Sequence, residues 1–411
     1  MPSKALIASG EAMQRVRDAS HLGVKASMPE PDLPGIIARK RRLIADFAAY
    51  RREGLAEFTL FEQAGRFSSP HEITLADGQT ISGRSFVIAT GSRQAPVVLP
   101  GLAEIGCLDS DAILDAAELP ASLLVLGGGY VGCELGQYLH HLGREITMLV
   151  RSERVLSSED VDIGLALTNA LRETGIRLET GVHFERAERS ERGRKRMVFT
   201  RGGEQFQAEA DEIVHCLGRL PNCEDLGLDA AGVRAHAITG IEVDATLRTS
   251  HPHIYAVGDV TGLFPLVHVA IYQGEVAARN ALNDGHEQAD YRLQKAHTVF
   301  TDPQVAVAGA TERELHAAGK SFIIASYPFA DHGKALTLAR TSGFVKILAE
   351  PGTGRILGAA VVGPEGSELI HEMIVALHFS ATVHDLIKIP HLHPTLSEIW
   401  TYPAEELALA L

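Results

Sequence analysis

Cysteine, tryptophan and long apolar runs are all scarce in this sequence of 411 residues. It contains one tryptophan and four cysteines, which is too few for a disulfide scaffold. No two of them have the CxxC or CxxxxC spacing of a metal site or redox pair. We interpret all four as small buried apolar residues: Cys107, Cys133, Cys216 and Cys223. The most apolar run, residues 123–131, is shorter than the about 18 residues of a membrane span and contains glycines. The sequence therefore excludes disulfide-rich and membrane-spanning proteins.

Basic residues are also fewer than acidic ones. The chain has 38 lysines and arginines against 52 aspartates and glutamates, so its formal net charge is −14. A nucleic-acid-binding protein needs a positive face to neutralise phosphates, and no nucleic-acid or membrane partner is predicted. The composition, 45% hydrophobic and 22% charged, is typical of a folded protein, and the length predicts two or three domains. With few cysteines and no secretory leader at its start, the sequence favours a cytoplasmic location.

The hydrophobic pattern changes along the chain. Residues 5–24 and 33–55 carry apolar side chains at helical spacing, and the basic run 39–42 is interpreted as a solvated helix face rather than an anion-binding patch. Short alternating strands follow over 57–88, and a separate α+β module is predicted from about residue 291. Between them lie apolar strands that run into glycine turns, which indicates an α/β fold.

One glycine motif stands in a specific context. Gly127, Gly129 and Gly132 directly follow the apolar strand 123–126 and open a helix, and a second apolar strand follows at 146–150. Glycines let the backbone turn tightly and approach a pyrophosphate, whose charge is stabilised at the helix N-terminus. We therefore predict a dinucleotide site at this turn; the alternative is a structural glycine-rich turn.

The end of the second strand predicts which nucleotide binds. NAD sites place an aspartate or glutamate there for the ribose hydroxyls. Here the strand is followed by Arg151 and Arg154, and arginines suit the 2′-phosphate of NADPH. NADPH is therefore predicted, with NAD as the alternative if both arginines merely face solvent.

A histidine and a glutamate near the C-terminus have a spacing that suits acid–base chemistry. His393 and Glu398 can form an oriented imidazole–carboxylate pair, which raises the basicity of the imidazole. An ordinary surface loop is equally consistent with this spacing. His391 and His393 have no third ligand nearby, and Pro394 stiffens the segment, so no metal site is predicted.

The order of the motifs resembles that of one family. The motifs are Pro-Ser-Lys at 2–4, Ala-Thr-Gly at 89–91, the glycine motif at 127–136, the predicted turn Gly-Arg-x-Pro-Asn at 218–222, Val-Gly-Asp at 257–259 and His-Pro-Thr-x-Ser-Glu at 393–398. They resemble the FAD-dependent pyridine nucleotide–disulfide oxidoreductases, which include dihydrolipoamide dehydrogenase, glutathione reductase and mercuric reductase. The resemblance covers the whole chain.

This resemblance implies a fold and a set of cofactors. It implies two Rossmann-like, three-layer α/β nucleotide-binding domains and a C-terminal α+β dimerisation domain, in a homodimer. The FAD-binding domain would comprise residues 1–92 and 222–290 and be incomplete at its N-terminus, the NAD(P)H-binding domain 93–221, and the dimerisation domain 291–411. The cofactors would be FAD and NADPH, or NAD. In this family a hydride passes from nicotinamide to flavin, and then to a cysteine pair that reduces a disulfide.

The resemblance also implies roles for individual residues. His393 would be the acid–base and Glu398 its orienting partner. Lys4 and Glu134 would form an ion pair beside the flavin, and Tyr130 would be the gate over it. The remaining cofactor-binding positions implied by the motifs are Thr90, Gly91, Gly218, Arg219, Gly258 and Asp259, the last on the ribityl chain of FAD.

The chain departs from the family pattern at two places. Family members begin with a strand, a first GxGxxG and a CxxxxC motif upstream of Pro-Ser-Lys, whereas this sequence starts at Met1 and has no GxG before Gly127. A mis-assigned start is the favoured explanation, because the downstream positions keep the residue types that their roles need. The alternative is a truncated, non-catalytic dimer that binds NADPH. In the second departure, Ser157 occupies a position that is basic in glutathione reductase.

The predicted activity is that of an FAD-dependent NAD(P)H:disulfide oxidoreductase. Dihydrolipoamide is the first substrate to test, because Leu396 within the motif 393–398 resembles the lipoamide group. Mercuric ion is disfavoured, since the sequence has no vicinal cysteines near its C-terminus. A flavin diaphorase that reduces a quinone or another electron acceptor is the alternative, because a flavin passes electrons without any cysteine.

Overall fold

The computed structural model describes residues 1–283 and 285–411. These residues form two compact units. Unit 1 comprises Met1–Tyr50, Val97–Leu217 and Ala296–Leu411, and unit 2 comprises Arg51–Pro96 and Gly218–Lys295. Over both described ranges, no helix is long and apolar enough to cross a bilayer.

The helices and strands follow one another in mixed order, as the predicted α/β class requires. Up to residue 217 they are α1 (Pro2–Asp18), a 3₁₀ helix (Ala19–Leu22), α2 (Leu33–Glu53), β1 (Gly65–Ser69), β2 (Glu72–Leu75), β3 (Thr80–Ser82), β4 (Phe86–Ile88), β5 (Ser92–Gln94), α3 (Leu102–Ile105), β6 (Leu108–Asp109), α4 (Ser110–Asp115), β7 (Ser122–Leu126), α5 (Tyr130–His141), β8 (Glu145–Val150), α6 (Val161–Glu173), β9 (Arg177–Thr180), β10 (His183–Arg189), β11 (Lys195–Arg201), β12 (Glu204–Ala210) and β13 (Glu212–His215). From residue 218 they are β14 (Arg219–Pro221), α7 (Leu228–Ala231), β15 (Ala235–His236), β16 (Gly240–Ile241), β17 (Ile254–Ala256), a 3₁₀ helix (Gly258–Thr261), α8 (Val267–Asn283), α9 (Tyr291–Gln294), β18 (His297–Val299), β19 (Gln304–Gly309), α10 (Glu312–Ala317), β20 (Ile323–Pro328), a 3₁₀ helix (Phe329–Asp331), α11 (Gly333–Thr337), β21 (Phe344–Ala349), β22 (Ile356–Gly363), α12 (Gly366–His378), α13 (Val383–Leu386), a 3₁₀ helix (Ser397–Trp400) and α14 (Thr401–Ala410).

A parallel sheet of five strands organises the middle segment of unit 1. Its order is β6–β13–β7–β8–β9. β7 is buried along its whole length, which explains its unbroken apolar sequence, since a parallel strand is covered on both faces. Alternate residues of β7 pack against α1, α5 and α6 on one face and against the antiparallel sheet β10–β11–β12 on the other. This three-layer, Rossmann-like arrangement confirms the predicted fold class.

The last segment of unit 1 is the predicted α+β module. Its antiparallel sheet has the order β18–β19–β22–β21–β20, and α12 and α14 contribute to the core on one side of it. Trp400, the single tryptophan, is fully buried in that core and donates its Nε1–H to the carbonyl oxygen of Leu369 at 3.1 Å.

Unit 2 consists of short sheets around a small apolar core. β1–β2–β3 is antiparallel, β4 pairs with β17 in parallel, and β5 pairs with β14 in antiparallel register. The prediction of a turn over residues 218–222 is wrong for 219–221, because Leu220 pairs with Arg93 and the segment forms a strand. This pairing places the Ala-Thr-Gly and Gly-Arg-x-Pro-Asn motifs side by side.

The predicted solvated face of the basic run on α2 also needs a correction. Arg39, Arg41 and Arg42 are exposed, but Lys40 is buried. Its Nζ donates to Asp115 Oδ1 at 2.7 Å and to the carbonyl oxygen of Leu114 at 2.9 Å. Lys40 therefore ties α2 to the end of α4.

A buried histidine at the end of α5 predicts that unit 1 loses stability in acid. Burial lowers the pKa of His141 from 6.5 to about 4. The unfolded chain therefore takes up a proton near pH 6.5, whereas the folded chain does so only near pH 4. Stability falls as the pH drops through this window, by about 3 kcal/mol. His141→Gln should flatten this dependence in urea unfolding measured at several pH values. The exposed control His183→Gln should keep it, and equal slopes in the two variants would contradict the assignment.

Candidate functional site

The glycine turn between β7 and α5 has the geometry of a nucleotide-binding turn. Gly127 has φ +114°, and a Cβ there would lie 2.6 Å from the carbonyl oxygen of Cys216. A Cβ on Gly132 would lie 2.3 Å from the carbonyl oxygen of Gly127. Both positions therefore require glycine. A Cβ on Gly129 would meet no heavy atom within 4 Å, so the space beside the turn is open at the N-terminus of α5, where backbone N–H groups attract phosphates.

Arg151 lies next to this turn. β7 and β8 are parallel neighbours, with Leu126 paired to Leu149, so the glycine turn and Arg151 follow the same edge of the sheet. Arg151 is exposed, and within the described residues it has no hydrogen bond or ion pair. Arg154 differs, because its Nη2 donates to the carbonyl oxygen of Glu159 at 3.0 Å. Of the two predicted arginines, Arg151 has the free guanidinium.

Lys4 and Glu134 form an ion pair inside unit 1. Lys4 Nζ lies 2.6 Å from Glu134 Oε2, and the backbone N–H of Phe300 donates to Glu134 Oε1 at 3.0 Å. The Glu134 side chain is 8% exposed and that of Lys4 37%. The ammonium also lies 4.5 Å from the centre of the Phe300 ring. A fixed carboxylate thus orients a cation that remains accessible on one side.

Tyr130, at the first position of α5, belongs to a buried cluster that the sequence did not predict. Its hydroxyl donates to Glu159 and lies 3.2 Å from His297 Nε2, which is also 3.2 Å from Glu159 Oε1. Burial raises the pKa of Tyr130. Burial opposes the charge of Glu159, but the bonds from His297 and Tyr130 outweigh it and lower the pKa of Glu159. Glu159 and His297 are far apart in sequence and carry no motif.

His393 and Glu398 lie together as their spacing allows. His393 Nδ1 is 3.0 Å from Glu398 Oε2. The Glu398 side chain is 11% exposed and the His393 side chain 78%. A buried carboxylate therefore holds one ring nitrogen, and Nε2 of an exposed ring is left for a reacting group, which is the geometry of an acid–base pair.

Three further motifs meet in unit 2 around Ser92. Its hydroxyl donates to Asp259 Oδ2 at 2.7 Å and accepts from Arg219 Nε at 2.9 Å. Thr90 Oγ1 donates to the carbonyl oxygen of Asn222 at 2.8 Å. The glycines of these motifs all have positive φ and allow the chain to turn: Gly91, Gly218 and Gly258. The six cofactor-binding positions implied by the resemblance are thus neighbours within one unit.

A groove between α1 and α2 opens beside Lys4. We call it the α1–α2 groove; its volume is about 500 Å³. Its walls are mostly apolar, and Lys4 and Arg39 supply positive charge. The lining residues are Met1, Lys4, Ala5, Ala8, Arg39, Leu43, Ile44, Asp46, Phe47 and Tyr50.

The four cysteines are placed as buried or half-buried single thiols. Burial raises the pKa of Cys216 to about 12 and also raises the pKa of the other three: Cys107, Cys133 and Cys223. A thiol is nucleophilic as its thiolate. None of these four thiols therefore has the environment of a reactive cysteine.

Two models of one protein family match this chain. The family model described as pyridine nucleotide-disulphide oxidoreductase matches residues 1–274. The model described as the dimerisation domain of pyridine nucleotide-disulphide oxidoreductases matches residues 295–404. Together they match most of the chain.

Individual relatives agree with these matches. A dihydrolipoyl dehydrogenase from Thermus scotoductus is 36% identical over 413 residues, which covers 99% of this chain and 88% of the relative. A mercuric reductase from Lysinibacillus sphaericus is 33% identical over 401 residues, covering 97% and 73%. Among solved structures, LpdA from Mycobacterium tuberculosis has a TM-score of 0.85 at 31% identity, covering 99% of this chain and 89% of that one.

Proposed function

The chain belongs to the pyridine nucleotide-disulphide oxidoreductase family, and we propose that it takes electrons from NADPH and passes them to a small apolar disulfide of the lipoyl type. Family membership makes it an FAD-dependent NAD(P)H oxidoreductase. Its dimerisation domain supports a homodimer. The choice of NADPH, the identity of the acceptor, the domain boundaries and the roles of single residues are the proposed part.

The observation that carries the choice of NADPH is the free guanidinium of Arg151 at the end of β8. In this position an NAD site has a carboxylate for the ribose hydroxyls, and an arginine pairs with a 2′-phosphate instead. Gly127 and Gly132 shape the turn, and the open space at Gly129 receives the pyrophosphate. Arg154 keeps the loop after β8 in place through its bond to Glu159.

Part of the chain fits FAD, judged by the groups it presents. The Lys4–Glu134 pair offers an accessible cation, which suits an anionic reduced flavin ring. In unit 2, Asp259 offers a carboxylate, which suits the hydroxyls of a ribityl chain. The sequence contains a single GxGxxG turn, and we assign that turn to NADPH. Taken separately, unit 1 thus offers a group for the ring and unit 2 a group for the ribityl chain, and the sequence has no second GxGxxG turn for the pyrophosphate of FAD.

The side chains of unit 1 have distinct tasks in the proposed reaction. When bound, FAD supplies the two-electron relay between donor and acceptor. Glu134 fixes Lys4, whose charge stabilises negative charge beside it. Tyr130 lies one helical turn before Glu134 and would act as the gate over the flavin. Glu398 holds His393 in one tautomer, and His393 would give or take the proton that accompanies reduction of the acceptor.

We assign the α1–α2 groove to the acceptor. Its apolar walls suit a hydrocarbon chain, and the positive charges of Lys4 and Arg39 lie at its sides. Relatives that resemble this chain over most of its length are dihydrolipoyl dehydrogenases, whose name describes an apolar dithiol substrate. A lipoyl-type disulfide is therefore the acceptor class to test first.

A second candidate function is the direct reduction of a quinone. The observation that favours it is the state of the four cysteines, which are unpaired in sequence and have raised pKa values. A quinone is reduced by flavin without any thiol. The two candidates separate in a steady-state assay in which NADPH is the donor and oxidised lipoamide or a quinone is offered in turn as the acceptor.

Arg151→Glu tests the choice of donor. Loss of a charge-assisted bond to the 2′-phosphate costs about 1.5 to 3 kcal/mol, so kcat/KM for NADPH should fall about 10- to 100-fold. The new carboxylate suits the ribose hydroxyls of NADH, so kcat/KM for NADH should hold or rise. The measurement is the ratio of the two constants with a quinone acceptor.

Arg192→Glu is the matched control. Arg192 is exposed in the turn between β10 and β11, in the same segment of unit 1, and the change in net charge is the same. This variant should keep the donor preference of the wild type. If Arg151→Glu also keeps the wild-type preference for NADPH over NADH, Arg151 does not select the donor and the assignment of NADPH loses its basis.

A further inference from the structure

A second histidine, His332, lies near Glu398, at the carboxylate oxygen that His393 does not contact. His332 is fully buried, with 0% of its side chain exposed, and precedes the short helix α11. Its Nδ1 accepts from the backbone N–H of Ala335 at 3.4 Å. A nitrogen that accepts carries no proton, so the neutral ring carries its proton on Nε2. Burial lowers the pKa of His332, with His393 adding to the effect and Glu398 opposing it, which favours this neutral ring.

Nε2 of His332 faces the carboxylate of Glu398. His332 Nε2 lies 3.5 Å from Glu398 Oε1, and within the described residues this buried nitrogen has no hydrogen-bond partner. The second oxygen of the same carboxylate, Oε2, is the one that lies 3.0 Å from His393 Nδ1. A separation of 3.5 Å is longer than an ideal hydrogen bond, as is common for catalytic contacts without substrate, which tighten in the complex.

Aromatic rings fix the orientation of His332. Tyr402 meets its ring edge-on at a centroid distance of 6.1 Å, and Phe329 does so at 6.3 Å. Tyr402 is itself stacked on Tyr327 at 4.1 Å. With the backbone bond to Nδ1, these contacts leave the imidazole little freedom to turn away from Glu398. A buried polar atom without a partner is costly, which favours a bond from Nε2 to the carboxylate that it faces.

We infer that His332 is a positioning residue for the proposed acid–base pair: its neutral ring donates Nε2–H to Glu398 Oε1 and turns Oε2 toward His393 Nδ1. This inference rests on the proposed function, in which His393 transfers the proton. His332 holds Glu398 without adding a charge, and Glu398 in turn keeps the proton of His393 on Nδ1. Nε2 of His393 then remains unprotonated and ready to accept a proton.

The tautomers of both histidines are measurable by ¹⁵N NMR of the imidazole rings in the full chain at alkaline pH. The wild type should show His393 protonated on Nδ1 and His332 on Nε2. In His332→Leu, Glu398 loses its second anchor, and His393 should shift toward the Nε2–H tautomer that imidazole prefers in water. In His332→Gln, the side-chain amide places a donor where Nε2 was, and the wild-type tautomer of His393 should return.

A second histidine–glutamate pair in the α+β module serves as the internal control. His391 Nε2 lies 2.6 Å from Glu372 Oε1, and its signals should stay unchanged in both variants if the fold is intact. An unchanged Nδ1–H tautomer of His393 in His332→Leu would overturn the role of His332 alone. A wild-type His393 without the Nδ1–H tautomer would overturn the acid–base pair, and with it the proposed function on which the inference rests.

Discussion

Gly129→Val should weaken NADPH binding at least about 100-fold, which corresponds to about 3 kcal/mol, while the protein stays folded. Gly129 has φ −80° and ψ −175°, an extended conformation that valine adopts readily. A Cβ at this position meets no protein atom within 4 Å. The valine side chain therefore fits the folded chain but occupies the space that we assign to the pyrophosphate. Fluorescence titration with NADPH and thermal unfolding measure the two effects.

Gly132→Ala is the comparison variant at the same turn, because it should destabilise the fold, which Gly129→Val should not. The added Cβ would lie 2.3 Å from the carbonyl oxygen of Gly127, so the backbone of the turn must move and unit 1 should lose about 1 to 3 kcal/mol of unfolding free energy. The two substitutions therefore differ in effect, because a side chain at Gly129 has open space whereas one at Gly132 meets packed backbone. If Gly129→Val binds NADPH as tightly as the wild type, the pyrophosphate does not lie at this turn.

Lys346→Met should destabilise unit 1 by about 3 to 5 kcal/mol. Lys346 is 1% exposed, and its Nζ lies 2.6 to 2.9 Å from three carboxylates: Asp160, Asp162 and Glu312. Burial disfavours its charge, but the three bonds outweigh burial and raise the pKa of Lys346. Methionine fills the same volume and removes the cation, so the buried carboxylate of Asp160 is left without its counter-charge. Urea unfolding measures the loss.

Two further variants show whether the charge of Lys346 is responsible for this loss of stability. Lys388→Met makes the same change at a side chain that is 74% exposed, and its effect should stay within about 0.5 kcal/mol. Adding Asp160→Asn to Lys346→Met removes the stranded buried charge and should recover part of the stability. A loss under 1 kcal/mol in Lys346→Met would mean that the cluster does not hold β21 to the start of α6.

The sequence predicts best what a local pattern determines. The glycine turn between β7 and α5 follows from its residues, because a tight turn with positive φ at Gly127 needs glycine there. The buried strands β7 and β8 follow from their apolar runs. The resemblance to a family gave the fold class and the cofactors, which the comparisons confirm. The site residues and domain boundaries stay predictions.

The sequence predicts poorly what depends on residues far apart in the chain. His332 lies in the loop before α11 and contacts Glu398, and His297 begins the short strand β18 and contacts Glu159. Neither histidine belongs to a sequence motif, and only the fold places each one near its glutamate. The contact of Lys40 with α4 is of the same kind, since nothing in the run 39–42 indicates which of its cations is buried. The sequence does not predict the strand 219–221, because its partner, β5, lies more than a hundred residues earlier.

The most direct test of the central claim is the visible absorption of the purified protein with bound FAD, recorded without oxygen before and after NADPH is added. We expect NADPH to bleach the flavin bands of the wild type at low concentration, NADH to do so only at higher concentration, and Gly129→Val to respond poorly to both. Flavin bands that NADPH leaves unchanged, or a protein that takes up no FAD, would contradict the account.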